Sequence, residues 1–137
     1  MRKPKKPSVS KLKKKLDIIY STYRRLSEAD ENGYVTCVTC GVKRHYKDRM
    51  QNGHYIDRHI SSTRYLDKNC HVQCVGCNMF GGGKKDIYAL YLIKRYGEGI
   101  LEHLNDLKKQ TKQFKVYELE EMMTSYKQKL ISLSNHK

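Results

Sequence analysis

The sequence predicts an α+β fold built on a metal staple, from three observations. Two C-x-x-C pairs, Cys37/Cys40 and Cys74/Cys77, stand 33 residues apart (41–73). Two short strand-like stretches, GYVTC and NGHYID, lie at the first pair and between the pairs. Helix-period apolar stripes fill both ends of the chain. Only 38% of the 137 residues are hydrophobic and there is no Trp, so a metal would help so polar a chain to fold.

The elements follow in order. Residues 1–10 carry two prolines and many charges, and read as a disordered basic arm. Residues 11–30 read as a basic amphipathic helix with Ser10 able to cap it and Leu12, Leu16, Ile19, Tyr23 and Leu26 as its stripe. A zinc-stapled domain over 31–110 comes next. GYVTC is a strand entering the first knuckle, and NGHYID is one strand of a hairpin. GGGKKD at 81–86 is a turn without P-loop spacing. A helix over 85–97 stops at Gly97, and another spans about 98–109. The last segment, 111–137, holds an amphipathic helix through Leu119, Met122, Met123, Tyr126, Leu130 and Leu133. Its stripe reads first as packing on the domain and second as the face of a homodimer.

Each C-x-x-C can wrap a tight turn that aims both sulfurs at one ion, and glycine just after Cys40 and before Cys77 eases that turn. Two such knuckles complete a tetrahedral four-cysteine Zn2+ site. A redox pair would need one C-x-x-C at a helix start, and disulfides an oxidising compartment. Cys70 is left over, as a small core residue or a spare ligand.

Charge narrows the partner. The net charge is +14, and residues 1–25 hold ten basic residues against Asp17 alone. Such a field attracts a polyanion. The arm lacks the apolar anchors of a membrane helix, no run is long enough to span a bilayer, and no apolar signal core follows the basic N-terminus. Nucleic acid is therefore the favoured partner over a membrane, with Lys13, Lys14, Lys15, Arg24, Arg25, Lys84 and Lys85 as candidate contacts. A merely solubilising tail is the bland alternative.

Between the knuckles lie His45, His54, His59 and His71 with Asp48, Asp57, Asp67, Arg49, Arg58 and Arg64. Such crowding points to catalysis. A sulfur-saturated zinc has no open position, so a hydrolytic cation would need harder ligands elsewhere. Asn78, directly after Cys77, reads two ways: as a hard amide ligand, or as the cap of the following helix. His54 is the candidate general base, since imidazole titrates near neutrality.

GHYIDR at 53–58, NCHVQCVGCN at 69–78 and YLIKRYGEGILEHL at 91–104 resemble the phage recombination NinG (Rap) family over about 34–107. More distantly the chain resembles the His-Me finger (HNH) nucleases, among them endonuclease VII, where two C-x-x-C pairs bracket a histidine hairpin. The resemblance implies a ββα-metal core on the zinc site. It also implies a metal-dependent DNA endonuclease acting on branched recombination intermediates in the cytoplasm of a bacterial host. His54 would be the base, Asn69 the brace of its loop, and Arg58 and His59 phosphate contacts. Asn78, with Asp57 or His71, would hold Mg2+ or Mn2+. One departure stands out: many relatives place a metal ligand just before the base, and here that residue is Gly53. If residues 53–57 form a strand, Asp57 and His54 point to opposite faces unless the strand ends first. The alternatives are a non-catalytic zinc-stapled DNA-binding accessory protein, an HNH enzyme nicking ordinary duplex and, lower, an RNA-binding zinc protein.

Overall fold

A computed structural model describes residues 7–135. Most of the expected arm, 1–6, lies outside the described residues. Helix α1 runs Val9–Ser27, so it begins before residue 11, and Ser8 caps it in place of Ser10 by accepting from the Lys11 amide (3.1 Å). Two antiparallel hairpins follow. The first pairs β1 (Tyr34–Thr36) with β2 (Lys43–His45). The second pairs β3 (Met50–His54) with β4 (Cys70–Cys74), placing Gly53 opposite His71 and His54 opposite Cys70. One π-helical turn, Gly76–Phe80, leads to α2 (Lys85–Tyr96), α3 (Ile100–Lys108) and α4 (Val116–Ser134).

The stripe of α1 differs in phase from the expected one. Leu12, Leu16 and Leu26 of that stripe are buried, but Tyr20 and Arg24 complete the buried line, while Ile19 and Tyr23 are half-buried. The reason is Arg24. Its guanidinium donates to the Cys70 carbonyl (3.1 Å), Ser27 (3.2 Å) and Glu28 (3.2 Å), and Asp67 stands 3.8 Å away. A cation so buried and so fully paired is held by the fold, and Arg24 is corrected as a free phosphate contact.

Three apolar clusters hold the chain together. Val35, Met50, Val72, Cys37, Cys74 and Cys77 pack around the knuckles. Ile56 joins Tyr88 and Leu92 of α2 and Ile100 and Leu104 of α3. Leu12 and Leu16 of α1 close on Leu119 of α4. Met122, Met123 and Tyr126 flank that third contact, while Leu130 and Leu133 reach the knuckle cluster, so the stripe of α4 is used within the chain. No helix among the described residues is long and apolar enough to cross a membrane.

Candidate metal centre and cleft

The four thiols of Cys37, Cys40, Cys74 and Cys77 all lie within 4.8 Å of one another. Cys40 Sγ and Cys74 Sγ are 3.7 Å apart, close to the roughly 3.8 Å edge of a tetrahedron with 2.3 Å zinc–sulfur bonds. The knuckles are wound as a metal site requires. The Cys77 amide donates to Cys74 Sγ (3.4 Å), and the Gly41 amide closes on the Cys37 carbonyl (2.9 Å). Burial disfavours a thiolate at Cys37, but the Thr39 hydroxyl and nearby amides outweigh it and pull that thiol down to about 6. Three buried sulfurs and one exposed sulfur fit a closed structural ion with no vacancy for substrate. Cys70 stands apart. It is buried, its thiol is pushed up to about 12 by burial, and it faces the Arg64 carbonyl (3.6 Å).

Beside this centre lies a cleft of about 570 Å³ between α1, β3 and the turn after the second knuckle. His54 lines it from the last position of β3, and Asp57, Arg58 and Asn78 line it too. Because the strand ends at His54, Asp57 does share the cleft with the imidazole. The ring is anchored: Nε2 meets the Arg64 carbonyl at 2.9 Å. A carbonyl only accepts, so the proton sits on Nε2 and Nδ1 is left as a free base. Burial lowers the imidazole below its ordinary value of 6.5, against the opposing pull of that carbonyl, so it is neutral at physiological pH.

Asn78 lies inside the π-helical turn, and the residue before α2 is Lys84, so Asn78 does not cap that helix. Its amide nitrogen donates to Gln51 Oε1 (2.8 Å), which orients the amide and leaves its oxygen as the free atom. Asn69 is fully buried and braces the segment after His54. It accepts from the Ile56 amide (2.7 Å) and donates to the Ile56 and Thr63 carbonyls (3.0 and 3.1 Å). Its part is to position the loop, since it does not line the cleft.

Gly53 has a structural cause. A Cβ there would lie 2.0 Å from Gln73 Oε1, because the Gln73 side chain crosses the strand at that point. Gln73 is held from its other end by Thr39 (3.1 Å) and the Gly83 carbonyl (2.8 Å). The space beside Gly53 is thus filled from the neighbouring strand. Gly53→Ala should therefore destabilise the fold by about 1–3 kcal/mol, as overpacking does. Adding Gln73→Ala should recover part of the loss in thermal unfolding. Additive losses in the double variant would refute the clash.

Other candidates fall elsewhere. His71 is corrected as a metal ligand: it is buried, and its two ring nitrogens meet Tyr88 Oη (3.1 Å) and Tyr96 Oη (2.8 Å). Burial, with Arg24 and Arg95 nearby, pushes its imidazole down to about 3. A depressed folded value means that stability is fully present above 6.5 and falls as pH drops toward 3. The acid limb of thermal stability should flatten in His71→Gln, and an unchanged limb would exclude His71 as its source. His59 is exposed and lines a separate depression near α3. Lys85 is corrected as a free phosphate contact, because its ammonium binds the His54 and Tyr55 carbonyls and stands 3.6 Å from Asp57. Lys13 is half-buried with its ammonium over the Phe114 ring, whereas Lys14, Lys15 and Lys84 are exposed. Arg25 lines the cleft while donating to the Tyr46 carbonyl (2.6 Å).

Sequence reasoning missed Asp17 and Gln51. Asp17 reaches the cleft from α1 and is bound by Arg64 and by the Tyr65 hydroxyl (2.9 Å). It thereby ties the helix to the carbonyl that anchors His54. Its isolation among ten basic residues was the available signal.

A family model described as Bacteriophage Lambda NinG protein matches residues 1–136. No curated protein and no solved structure matches the chain significantly.

Proposed function

Because the chain belongs to the NinG family, a phage recombination-related family, we propose that it is a metal-dependent endonuclease that cuts branched DNA intermediates. One observation carries the reading: a neutral, anchored His54 shares a cleft with Asn78, the residue directly after a metal-binding cysteine. We read β3, β4 and the turn behind them as the ββα-metal unit of a His-Me finger.

In this reading His54 Nδ1 takes the proton of the attacking water. The Nε2 contact with the Arg64 carbonyl stabilises the imidazolium that forms. Arg58, exposed in the same cleft, meets the scissile phosphate. The Asn69 brace and the Lys85 clamp hold the chain on either side of the base. Among the described residues the cysteines form the only His, Cys, Asp or Glu cluster suited to a metal. A cation in the cleft would therefore take few protein ligands, Asn78 and Asp57, and complete its shell with phosphate and water. Such an ion, Mg2+ or Mn2+, would neutralise charge on the phosphate and the leaving 3′ oxygen. The protein would work in the cytoplasm of the bacterial host.

Gly53 favours a second reading, a zinc-stapled DNA-binding accessory without catalysis. The test is cleavage of a labelled four-way junction beside linear duplex of the same sequence, with Mg2+, with Mn2+ and with no added divalent ion. Metal-dependent cutting of the junction is expected. Tight binding with no cutting under any metal selects the accessory reading, and equal cutting of both substrates would make it a nuclease for ordinary duplex.

A further inference from the structure

The cleft has an apolar rim that the proposed hydrolysis does not use. Phe80 is 84% exposed, the most exposed large apolar side chain among the described residues, with Ile18 at 70% and Met79 at 61%. Ile18 and Met79 line the cleft itself, Ile18 from α1 and Met79 from the turn that carries Asn78. Phe80 is the next residue.

This rim is rigidly mounted. The π-helical turn is closed by the Gly81 amide on the Gly76 carbonyl (2.7 Å) and by the Gly83 amide on the Cys77 carbonyl (2.9 Å). The Gln51 amide meets Met79 Sδ at 3.4 Å. One end of the turn is Cys77, a member of the sulfur cluster. An aromatic ring held out in water by so fixed a turn contributes nothing to the core and costs hydration.

The surroundings choose its occupant. Arg25 and Arg58 line the cleft. On α1, Lys11 and Lys14 lie on the same helical face as Ile18, at seven- and four-residue steps. The whole chain carries +14. A ligand that is both apolar and anionic matches an apolar rim set among cations, and nucleic acid has both properties: π-faces on its bases and charge on its backbone. In an intact duplex the base faces are stacked on each other. They become available where stacking is interrupted, as at a branch point.

We infer that Phe80, next to the cleft-lining Met79, is a stacking wedge that receives an unstacked nucleobase at the branch point of the DNA held in the cleft. The inference rests on the reading of branched DNA as substrate. It supplies what charge alone cannot, a contact that separates a branch from a linear duplex.

The test measures binding without cleavage, in the His54→Ala background with no added divalent ion. The probes are a four-way junction with 2-aminopurine at the branch and linear duplex of the same sequence. Phe80→Ala should weaken junction binding by about tenfold or more, within the range of one base–aromatic stack. Duplex binding should stay within about twofold, and the 2-aminopurine quench should be lost. Phe80→Trp should restore both. Equal effects on junction and duplex, or none on either, would overturn the wedge. So would a wild-type preference for neither probe. Conversion of a dimer to a monomer by Phe80→Ala, seen in sedimentation, would assign the rim to a second copy of the chain and also overturn it. Because cleavage is not read, an inactive but junction-selective protein would refute the nuclease and leave the wedge standing.

Discussion

His54→Ala is expected to slow metal-dependent cleavage of a four-way junction by about 10²–10⁴, the usual range for a general base. Junction affinity and zinc content should be unchanged, because Asn69, Lys85 and the sulfur cluster hold the surrounding chain without the imidazole. The pH profile gives an independent check. The protonated ring cannot accept a proton, so the rate should rise with pH through the His54 value and then level off. Burial sets that value below 6.5, so the midpoint of the rise should lie below 6.5. Added imidazole should restore part of the activity of His54→Ala by occupying the vacated space. A variant that cuts as fast as wild type would remove His54 from the chemistry. A profile rising only above pH 7 would point to a different base.

The second large effect concerns the sulfur cluster. Purified protein should carry one zinc per chain, and Cys77→Ser should lose it. Structural zinc is worth about 10–16 kcal/mol in small peptides, comparable to or above the roughly 5–15 kcal/mol stability of a whole domain. The variant should therefore lose its cooperative melting transition rather than shift it. The centre sits within the cluster of Val35, Met50 and Val72, so both hairpins would loosen together. Chelation of the wild type should reproduce the result. A Cys77→Ser protein melting within a few degrees of wild type would exclude a structural metal. Because Asn78 follows Cys77 directly, loss of zinc should also end cleavage, even with Mg2+ in excess.

The four-cysteine metal site was legible because its signal is local. Two C-x-x-C pairs state their geometry within four residues each, and Gly97 likewise announced the end of α2. What stayed hidden depends on partners far along the chain. Arg24 looked like a surface cation until the Cys70 carbonyl and Asp67 came beside it. His71 looked like a ligand until Tyr88 and Tyr96 took both its nitrogens. The phase of α1 was misjudged because a buried arginine does not register in an apolar pattern. Gly53 read as a missing ligand, and its cause, the Gln73 side chain, belongs to the paired strand. Asn78 could be a cap or a ligand on sequence alone. The π-helical turn that carries it, and the later start of α2 at Lys85, removed the first option.

The packing of α1 on α4 also sets the order of events during synthesis. Leu12 and Leu16 find their cover in Leu119, more than a hundred residues later. At about 5–20 residues per second, the first helix waits about 5–20 seconds for its partner to be made. Through that interval its apolar line is open to any passing chain. Lys11, Lys14 and Lys15, exposed around the line, would oppose association of nascent copies by repulsion. The same lysines that suit a polyanion would thus act earlier as a guard against aggregation. A ribosome stalled before α4 would display the helix unguarded on one side, as a natural target for chaperones.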